Sequence, residues 1–238
     1  GKEVVKWEGN LLDYLYMIKD NPDITNFAPG RIFNMIMKHG VSEVDDTYKI
    51  RGYGDLVSYD FFKNKIYGSY YSLHDLMKFL KASARRTETG KRILIMVGPV
   101  SSGKSTIASL IKRGLERDDT PAYAIKGCPI HEEPLHAIPL EDREYWSEEL
   151  GVKIEGTLCP VCQQRIDQDY TDENGIINWE AIPVETIKFS EQKRTGIGTF
   201  QPSDPKSQDV TELIGRINIS KMTRYGETDP RAYQFDGE

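Results

Sequence analysis

The sequence contains few cysteines, no long apolar run and no excess of basic residues. Its three cysteines are an odd number and too few for a disulfide framework. No stretch is long and apolar enough to cross a bilayer, and the first residues show no signal-peptide pattern. The net charge of −6 gives no electrostatic reason to expect binding to nucleic acid or to an anionic membrane. We therefore expect a cytoplasmic protein whose partners include neither membranes nor nucleic acid.

A glycine-rich motif is the most specific single feature of the sequence. Residues 98–105 read Gly-Pro-Val-Ser-Ser-Gly-Lys-Ser, which is the Gly-x-x-x-x-Gly-Lys-Ser pattern of a phosphate-binding P-loop. The apolar run 92–97 predicts a buried strand before the loop. Apolar residues at helical spacing from Ile107 to Leu115 predict a helix after it, beginning near Ser105. Strand, loop and helix in this order predict an α/β P-loop NTPase fold with a parallel sheet flanked by helices.

The motif predicts a site for a nucleoside triphosphate with Mg²⁺. Its glycines allow several backbone N–H groups to point at one anion, and the helix N-terminus adds its partial positive charge. Lys104 is the predicted catalytic residue because its charge can reach the β- and γ-phosphates, and Ser105 is predicted to ligate Mg²⁺. The predicted nucleotide-binding residues of the motif are Gly98, Pro99, Val100, Ser101, Ser102, Gly103, Lys104, Ser105 and Thr106. The alternative is a glycine turn that binds nothing.

One usual partner of a P-loop is missing from the sequence. P-loop ATPases carry a second strand that ends in an acidic residue, which helps to hold Mg²⁺. After residue 105, no run of four apolar residues is followed by Asp or Glu. We expect this acid to be disguised or to lie beyond residue 238, and we interpret the chain as part of a longer protein.

The three cysteines belong to two short motifs of the kind that binds zinc. Residues 128–131 read Cys-Pro-Ile-His and residues 159–162 read Cys-Pro-Val-Cys, so each tight turn offers two ligands. The predicted ligands of a structural Zn²⁺ are Cys128, His131, Cys159 and Cys162. His136 is a second candidate for the fourth position. The alternatives are reduced cysteines without a metal, or a redox dithiol formed by the Cys-x-x-Cys pair.

Two longer strings are more particular than the P-loop motif. Residues 126–136 read Lys-Gly-Cys-Pro-Ile-His-Glu-Glu-Pro-Leu-His, and residues 155–162 read Glu-Gly-Thr-Leu-Cys-Pro-Val-Cys. Together with the P-loop motif, they make the sequence resemble the PrkA family of bacterial serine protein kinases over nearly its whole length. The resemblance implies an AAA+-like ATPase domain that binds ATP with Mg²⁺. It also implies a protein substrate and assembly into a homo-oligomeric ring.

The resemblance further implies a position for the adenine base. In such domains the segment ahead of the P-loop walls the adenine pocket, which places Ile66, Tyr67 and Gly68 beside the base. The alternative is that these residues simply pack the loop under the sheet. We therefore count Tyr67 and Gly68 among the predicted nucleotide-binding residues.

The sequence divides into four predicted segments. Apolar residues at helical spacing predict helices over 11–18 and 32–36 and from residue 72, and 122–125 read as a short strand. The segments are an N-terminal helical and linker segment at 1–70, the P-loop core at 71–127, a small zinc-knuckle insertion at 128–182 and a continuation of the AAA+ domain at 183–238.

Three functions fit the sequence. The leading hypothesis is the ATP-binding AAA+ domain of a bacterial serine protein kinase. A small-molecule phosphotransferase is the first alternative, although we find neither an arginine-rich lid nor an acceptor-binding acid. The second alternative is a nucleotide-sensing interaction module without turnover. A transporter ATPase is excluded because the Leu-Ser-Gly-Gly signature is absent.

Overall fold

The computed structural model of the protein describes residues 6–48, 56–84, 93–200, 216–226 and 229–234. The helices are α1 (Leu11–Asp20), α2 (Ala28–Met37), α3 (Tyr70–Ala84), α4 (Lys104–Arg117), α5 (Arg143–Leu150), α6 (Pro160–Asp169) and α7 (Ile219–Tyr225). The strands are β1 (Glu8–Asn10), β2 (Val41–Glu43), β3 (Val57–Tyr59), β4 (Ala122–Ile125), β5 (Pro183–Ile187), β6 (Arg216–Ile217) and β7 (Tyr233–Gln234). None of the helices that the structure describes is both long enough and apolar enough to cross a membrane.

The chain forms two compact units. The first, here called the loop unit, comprises residues 26–118. The second, here called the thiol unit, comprises residues 2–25 together with 119–238. Mixed helix and sheet is therefore confirmed as the fold class, while the four-segment division of the sequence stays a prediction.

Helices α2, α3 and α4 and the paired strands β2 and β3 build much of the described part of the loop unit. Helix α2 packs against α3, and α4 also contacts α2. Strands β2 and β3 pair in antiparallel register, with Val41 opposite Tyr59. The buried apolar residues of this core are Met35, Ile36, Tyr59, Phe62, Leu73, Leu76, Met77, Leu80 and Ile107. Since Ile107 belongs to the first turns of α4, the core fixes the end of the P-loop motif.

A three-stranded antiparallel sheet and helices α1, α5 and α6 build much of the thiol unit. Strand β5 lies between β1 and β4, so Glu185 pairs with Glu8 on one side and with Ala124 on the other. Helix α1 begins with a capping box, in which Asn10 and Asp13 each accept the backbone N–H of the other. The core between these elements also encloses all three cysteines.

Several predicted elements are confirmed. Helix α1 covers the helix expected over 11–18, and α2 covers 32–36. The helix expected from residue 72 begins slightly earlier, at Tyr70, and the helix after the P-loop motif begins at Lys104. Strand β4 coincides with the strand predicted at 122–125.

The buried strand predicted before the P-loop motif is wrong for the residues that the structure describes. Residues 93–97 form no strand, and Ile93 and Val97 are 86% and 90% exposed. Residue 92 lies outside the described residues. An apolar run becomes a buried strand only where neighbouring strands satisfy its backbone hydrogen bonds, and the described strands pair with other segments.

The predicted parallel sheet is not confirmed either. Every strand pair that the described residues form is antiparallel. The parallel sheet was expected because a β-α-β crossover normally joins the strands on either side of the P-loop helix. Strand β4, which follows α4, instead pairs with β5 in an antiparallel ladder from Ala122 opposite Ile187 to Ile125 opposite Val184.

Candidate functional site

The P-loop motif lies directly before helix α4 in the loop unit. The preceding Gly103 has a φ of 85°, a left-handed conformation that favours glycine. The Ile107 N–H donates to the Gly103 carbonyl at 2.9 Å and closes the first helical turn. Lys104, Ser105 and Thr106 therefore occupy the first turn of an α-helix, where backbone N–H groups lack an intrahelical partner. A helix N-terminus of this kind can bind an anion.

The Lys104 ammonium lies over the loop that precedes it. Its Nζ donates to the carbonyl oxygens of Gly98 at 2.7 Å and Pro99 at 2.6 Å, and to the hydroxyl of Ser102 at 3.0 Å. The Lys104 ammonium, at the end of the motif, thus contacts residues from its beginning. A lysine ammonium donates more strongly to a phosphate oxygen than to a neutral carbonyl, so it can exchange these partners for phosphate.

The other motif residues are open to solvent. Val100 is 94% exposed, and Ser101, Ser105 and Thr106 are exposed as well. Ser101 adopts a φ of 65° in the outer turn of the loop. The hydroxyls of Ser105 and Thr106 are therefore accessible, and their contacts with Mg²⁺ and nucleotide stay predictions.

The segment predicted to lie beside the adenine consists of Ile66, Tyr67 and Gly68. Ile66 lies against the P-loop motif. A Cβ at Gly103 would lie 3.4 Å from Ile66 Cδ1, and Ile66 also packs against the core of the loop unit. Tyr67 is 77% exposed, and Gly68 has a φ of 68° with nothing within 4 Å of its Cβ position. Ile66 thus packs the loop, while the adenine contacts of Tyr67 and Gly68 stay predictions.

Four buried side chains of the thiol unit form a second candidate site, here called the thiol cluster. Its members are Cys128, Glu132, Cys159 and Cys162, whose potential ligand atoms all lie within 4.8 Å of one another. The Cys128 Sγ is 3.8 Å from the Cys159 Sγ and 4.0 Å from Glu132 Oε2. The structure thus brings together the three predicted cysteine ligands, all as free thiols.

Two turns position these thiols. Cys159 is the N-cap of α6, and its Sγ accepts the backbone N–H of Cys162 at 3.4 Å. Pro160 follows in the first turn of the helix, where its missing N–H costs nothing. After β4, the Cys128 N–H donates to the Ile125 carbonyl at 3.1 Å. The strand end and the helix start therefore present their cysteines to one point in the core.

Glu132 stands where His131 was predicted. His131 has a φ of 53°, so the chain turns sharply at this residue and carries the next one into the core. Glu132 is 6% exposed, and its Oε1 accepts the backbone N–H of Cys159 at 2.7 Å. His131 lies outside the group of four. His136 Nδ1 lies 3.3 Å from the same Oε1, so His136 contacts the carboxylate rather than joining the thiols.

The spacing of the sequence motif could not reveal Glu132. Zinc motifs are recognised from pairs of Cys and His in one turn, and His131 meets that rule better than its acidic neighbour. The available signal was compositional, since Glu132 and Glu133 lie among apolar and proline residues that predict burial. A buried carboxylate needs hydrogen bonds or a cation, and Glu132 is the member of that pair that the fold buries.

The close packing of the thiols shifts the pKa of Cys128 and that of Cys162 in opposite directions. Hydrogen bonds from Cys159 and Cys162 lower the pKa of the Cys128 thiol to about 3. The hydrogen bonds of Cys162 with Cys128 and Cys159, followed by burial, raise the pKa of Cys162. The neighbouring thiols thus stabilise the thiolate of Cys128. Deprotonating a further thiol of the cluster would place a second negative charge within 4.8 Å of the first, which is unfavourable. A bound cation is the usual means by which proteins hold several thiolates together.

Comparison with known proteins gives one family match. A family model described as the PrkA AAA domain matches residues 9–238. A Bacillus subtilis (strain 168) protein named ATP-dependent protease PrkA is 47% identical over 240 residues, which cover 98% of this chain and 36% of that protein. No solved structure matches the chain.

More distant relatives carry other names. Serine/threonine kinase YeaG of Escherichia coli (strain K12) is 27% identical over 184 residues, covering 73% of this chain and 27% of that protein. A Geobacillus stearothermophilus protein, named only for its position beside gldA, is 31% identical over 93 residues, covering 39% of this chain and 87% of that protein. The chain thus spans about a third or less of the two longer relatives that it matches.

Proposed function

Since this chain belongs to the PrkA AAA domain family, we propose that it is the ATP-binding domain of an enzyme that acts on proteins. One observation carries the proposal. The Gly-x-x-x-x-Gly-Lys-Ser motif ends at the first turn of α4, with the Lys104 ammonium held over the loop. The β- and γ-phosphates would replace the loop carbonyls as partners of Lys104, and the helix N-terminus would add its partial charge.

Mg²⁺ completes the proposed site. The Ser105 hydroxyl is exposed in the first turn of α4, one residue after Lys104, and would ligate the ion that bridges the phosphates. The same P-loop motif also occurs in small-molecule phosphotransferases, so that function remains an alternative. The family match favours a protein substrate, because both longer relatives are named as enzymes that act on proteins.

The Mg²⁺ role makes Ser105→Ala informative. We expect the variant to lose about 10-fold in ATP affinity when Mg²⁺ is present and little when it is absent, since a bond to a charged group is removed. Calorimetric titration with ATP, with Mg²⁺ and with excess chelator, measures both affinities. Ser72→Ala, at an exposed serine of α3, is the matched control. Equal Mg²⁺ dependence in Ser105→Ala and the wild type contradicts the metal role.

For the reaction, we propose transfer of the γ-phosphoryl group to a protein serine, as the name of the Escherichia coli relative suggests. The name of the Bacillus subtilis relative favours a second candidate, proteolysis driven by ATP. Both reactions need the same phosphate contacts and differ in the acceptor. Assembly into a ring and a cytoplasmic location stay predictions.

Casein with γ-labelled ATP separates these reactions. Label on casein serine supports the kinase, and casein fragments that form only with ATP support the protease. Either activity should disappear in Lys104→Ala, because both depend on the bound triphosphate. In a protein of the relatives' full length, ATP binding without label transfer, fragments or phosphate release would indicate the interaction module without turnover.

A further inference from the structure

The thiol cluster has the dimensions of a tetrahedral metal site. Two sulfurs that each lie about 2.3 Å from a tetrahedral Zn²⁺ are about 3.8 Å apart. The Sγ atoms of Cys128 and Cys159 are 3.8 Å apart, and the four potential ligand atoms lie within 4.8 Å of one another. We propose that Cys128, Glu132, Cys159 and Cys162 bind one Zn²⁺ ion, a function beyond ATP binding.

Hydrogen bonds orient the carboxylate for this role. Glu132 Oε1 accepts the Cys159 N–H at 2.7 Å and lies 3.3 Å from His136 Nδ1. Oε2 is the oxygen that faces the thiols, 4.0 Å from the Cys128 Sγ. A carboxylate held through one oxygen and presenting the other is the usual arrangement of a metal-ligating acid. Glu132 is therefore a ligand, and His136 orients it.

The donor set selects the metal. Three thiolates with one carboxylate suit Zn²⁺ and exclude Mg²⁺ and Ca²⁺, which prefer oxygen ligands. Four protein ligands leave no open position for water, so the ion is structural rather than catalytic. It joins the turn after β4 to the start of α6, two segments that are distant in the sequence.

The side chain of Arg165 provides a counter-charge. Three thiolates and one carboxylate around a divalent ion leave a net charge of about −2. Arg165 lies one helical turn after Cys162 on α6, and its Nη1 donates to the Lys126 carbonyl at 2.7 Å, beside the turn that carries Cys128. Its Nε and Nη2 are buried, and within the described part of the chain they have no hydrogen-bond partner. The two buried nitrogens of this half-buried guanidinium lack a partner, and the negative charge of the loaded site would offset the cost of burying them.

Metal analysis and three variants of the whole chain test the proposal. Protein purified without added zinc should contain about one Zn²⁺ per chain. Glu132→Gln should weaken zinc binding in competition with a chromogenic chelator by more than about 100-fold, beyond the loss typical of an outer-shell residue. Arg165→Gln should weaken it by roughly 10-fold. His131→Ala is the control and should bind zinc as the wild type does.

Cobalt substitution of the wild type gives a readout that does not depend on how the variants fold. Co²⁺ in the cluster should show thiolate-to-cobalt charge-transfer absorption and intense tetrahedral ligand-field bands. Absence of bound zinc together with absence of these bands overturns the proposal. Loss of zinc from His131→Ala, with retention in Glu132→Gln, overturns the ligand set. An Arg165→Gln variant with wild-type zinc affinity overturns the role of that arginine.

Discussion

Lys104→Ala should weaken binding of ATP with Mg²⁺ by about 10- to 100-fold, since a hydrogen bond between charged groups contributes about 1.5–3 kcal/mol. The Nζ atom donates to Gly98, Pro99 and Ser102, all within the loop that the phosphates would enter. Removing it takes away the only full positive charge within the motif. Calorimetric titration of ATP·Mg²⁺ against both proteins measures the change.

The variant should keep its stability. Within the described residues, the side-chain hydrogen bonds of Lys104 all go to its own loop, so we expect the free energy of unfolding to change by less than about 0.5 kcal/mol. Lys81→Ala is the matched control, because it removes an exposed lysine of α3 in the same unit and should bind ATP as the wild type does. Wild-type ATP affinity in Lys104→Ala contradicts the assignment of residues 98–105 as a phosphate site.

Tyr14→Ala should lower the free energy of unfolding of the thiol unit by about 3–5 kcal/mol. Tyr14 is fully buried in α1, and its ring centroid lies 5.1 Å from that of Tyr123 in β4. Its hydroxyl donates to Glu133 Oε1 at 3.1 Å. The truncation therefore leaves a large cavity between helix and sheet and also removes a hydrogen bond to a partly buried carboxylate. Urea denaturation followed by tryptophan fluorescence measures the loss.

Tyr14→Phe separates the ring from the hydroxyl. It keeps the apolar volume and removes one hydrogen bond, so we expect a loss of only about 1 kcal/mol. Equal losses in the two variants would assign the effect to the hydrogen bond rather than to packing. A loss below about 1 kcal/mol in Tyr14→Ala would contradict the burial of α1 against the sheet.

Local signals were enough to predict helices α1 to α4, whereas α5, α6 and α7 were not predicted. The apolar spacing of Leu11, Leu15 and Ile18 reports one buried face, and the structure places that face in the core of the thiol unit. The helix after Gly103 was equally well defined, because apolar residues recur at helical spacing from Ile107 to Leu115. A helix of this kind depends on residues within one or two turns of each other. Their spacing can be read directly from the sequence.

The strand before the loop could not be predicted in the same way. The run from Ile93 to Val97 has the composition of a buried strand, but a strand also needs partners elsewhere in the chain. The described strands pair with one another in antiparallel order, and this run is exposed. The composition of a segment indicates whether it favours a strand. Whether that strand forms depends on a partner strand elsewhere in the fold.

At the thiol cluster, the sequence also failed to predict which residue the fold brings to the cysteines. Motif spacing grouped Cys128, Cys159 and Cys162, which the structure brings together from the turn after β4 and the first turn of α6. It chose His131 over Glu132, because spacing cannot report which of two adjacent side chains a left-handed turn carries inward. Arg165 was missed for a similar reason, since its unpaired buried donors become visible only once α6 lies beside residue 126.

We propose that the backbone N–H groups of residues 98–106 and the Lys104 ammonium hold the phosphates of ATP. Hydrogen–deuterium exchange, followed by mass spectrometry with and without ATP·Mg²⁺, tests it most directly. We expect ATP to slow exchange in peptides that contain residues 98–106, because their N–H groups would become donors to phosphate. At an ATP concentration near the wild-type Kd, the same peptides should be far less protected in Lys104→Ala. Protection confined to other segments, or equal protection in the variant, would contradict the account.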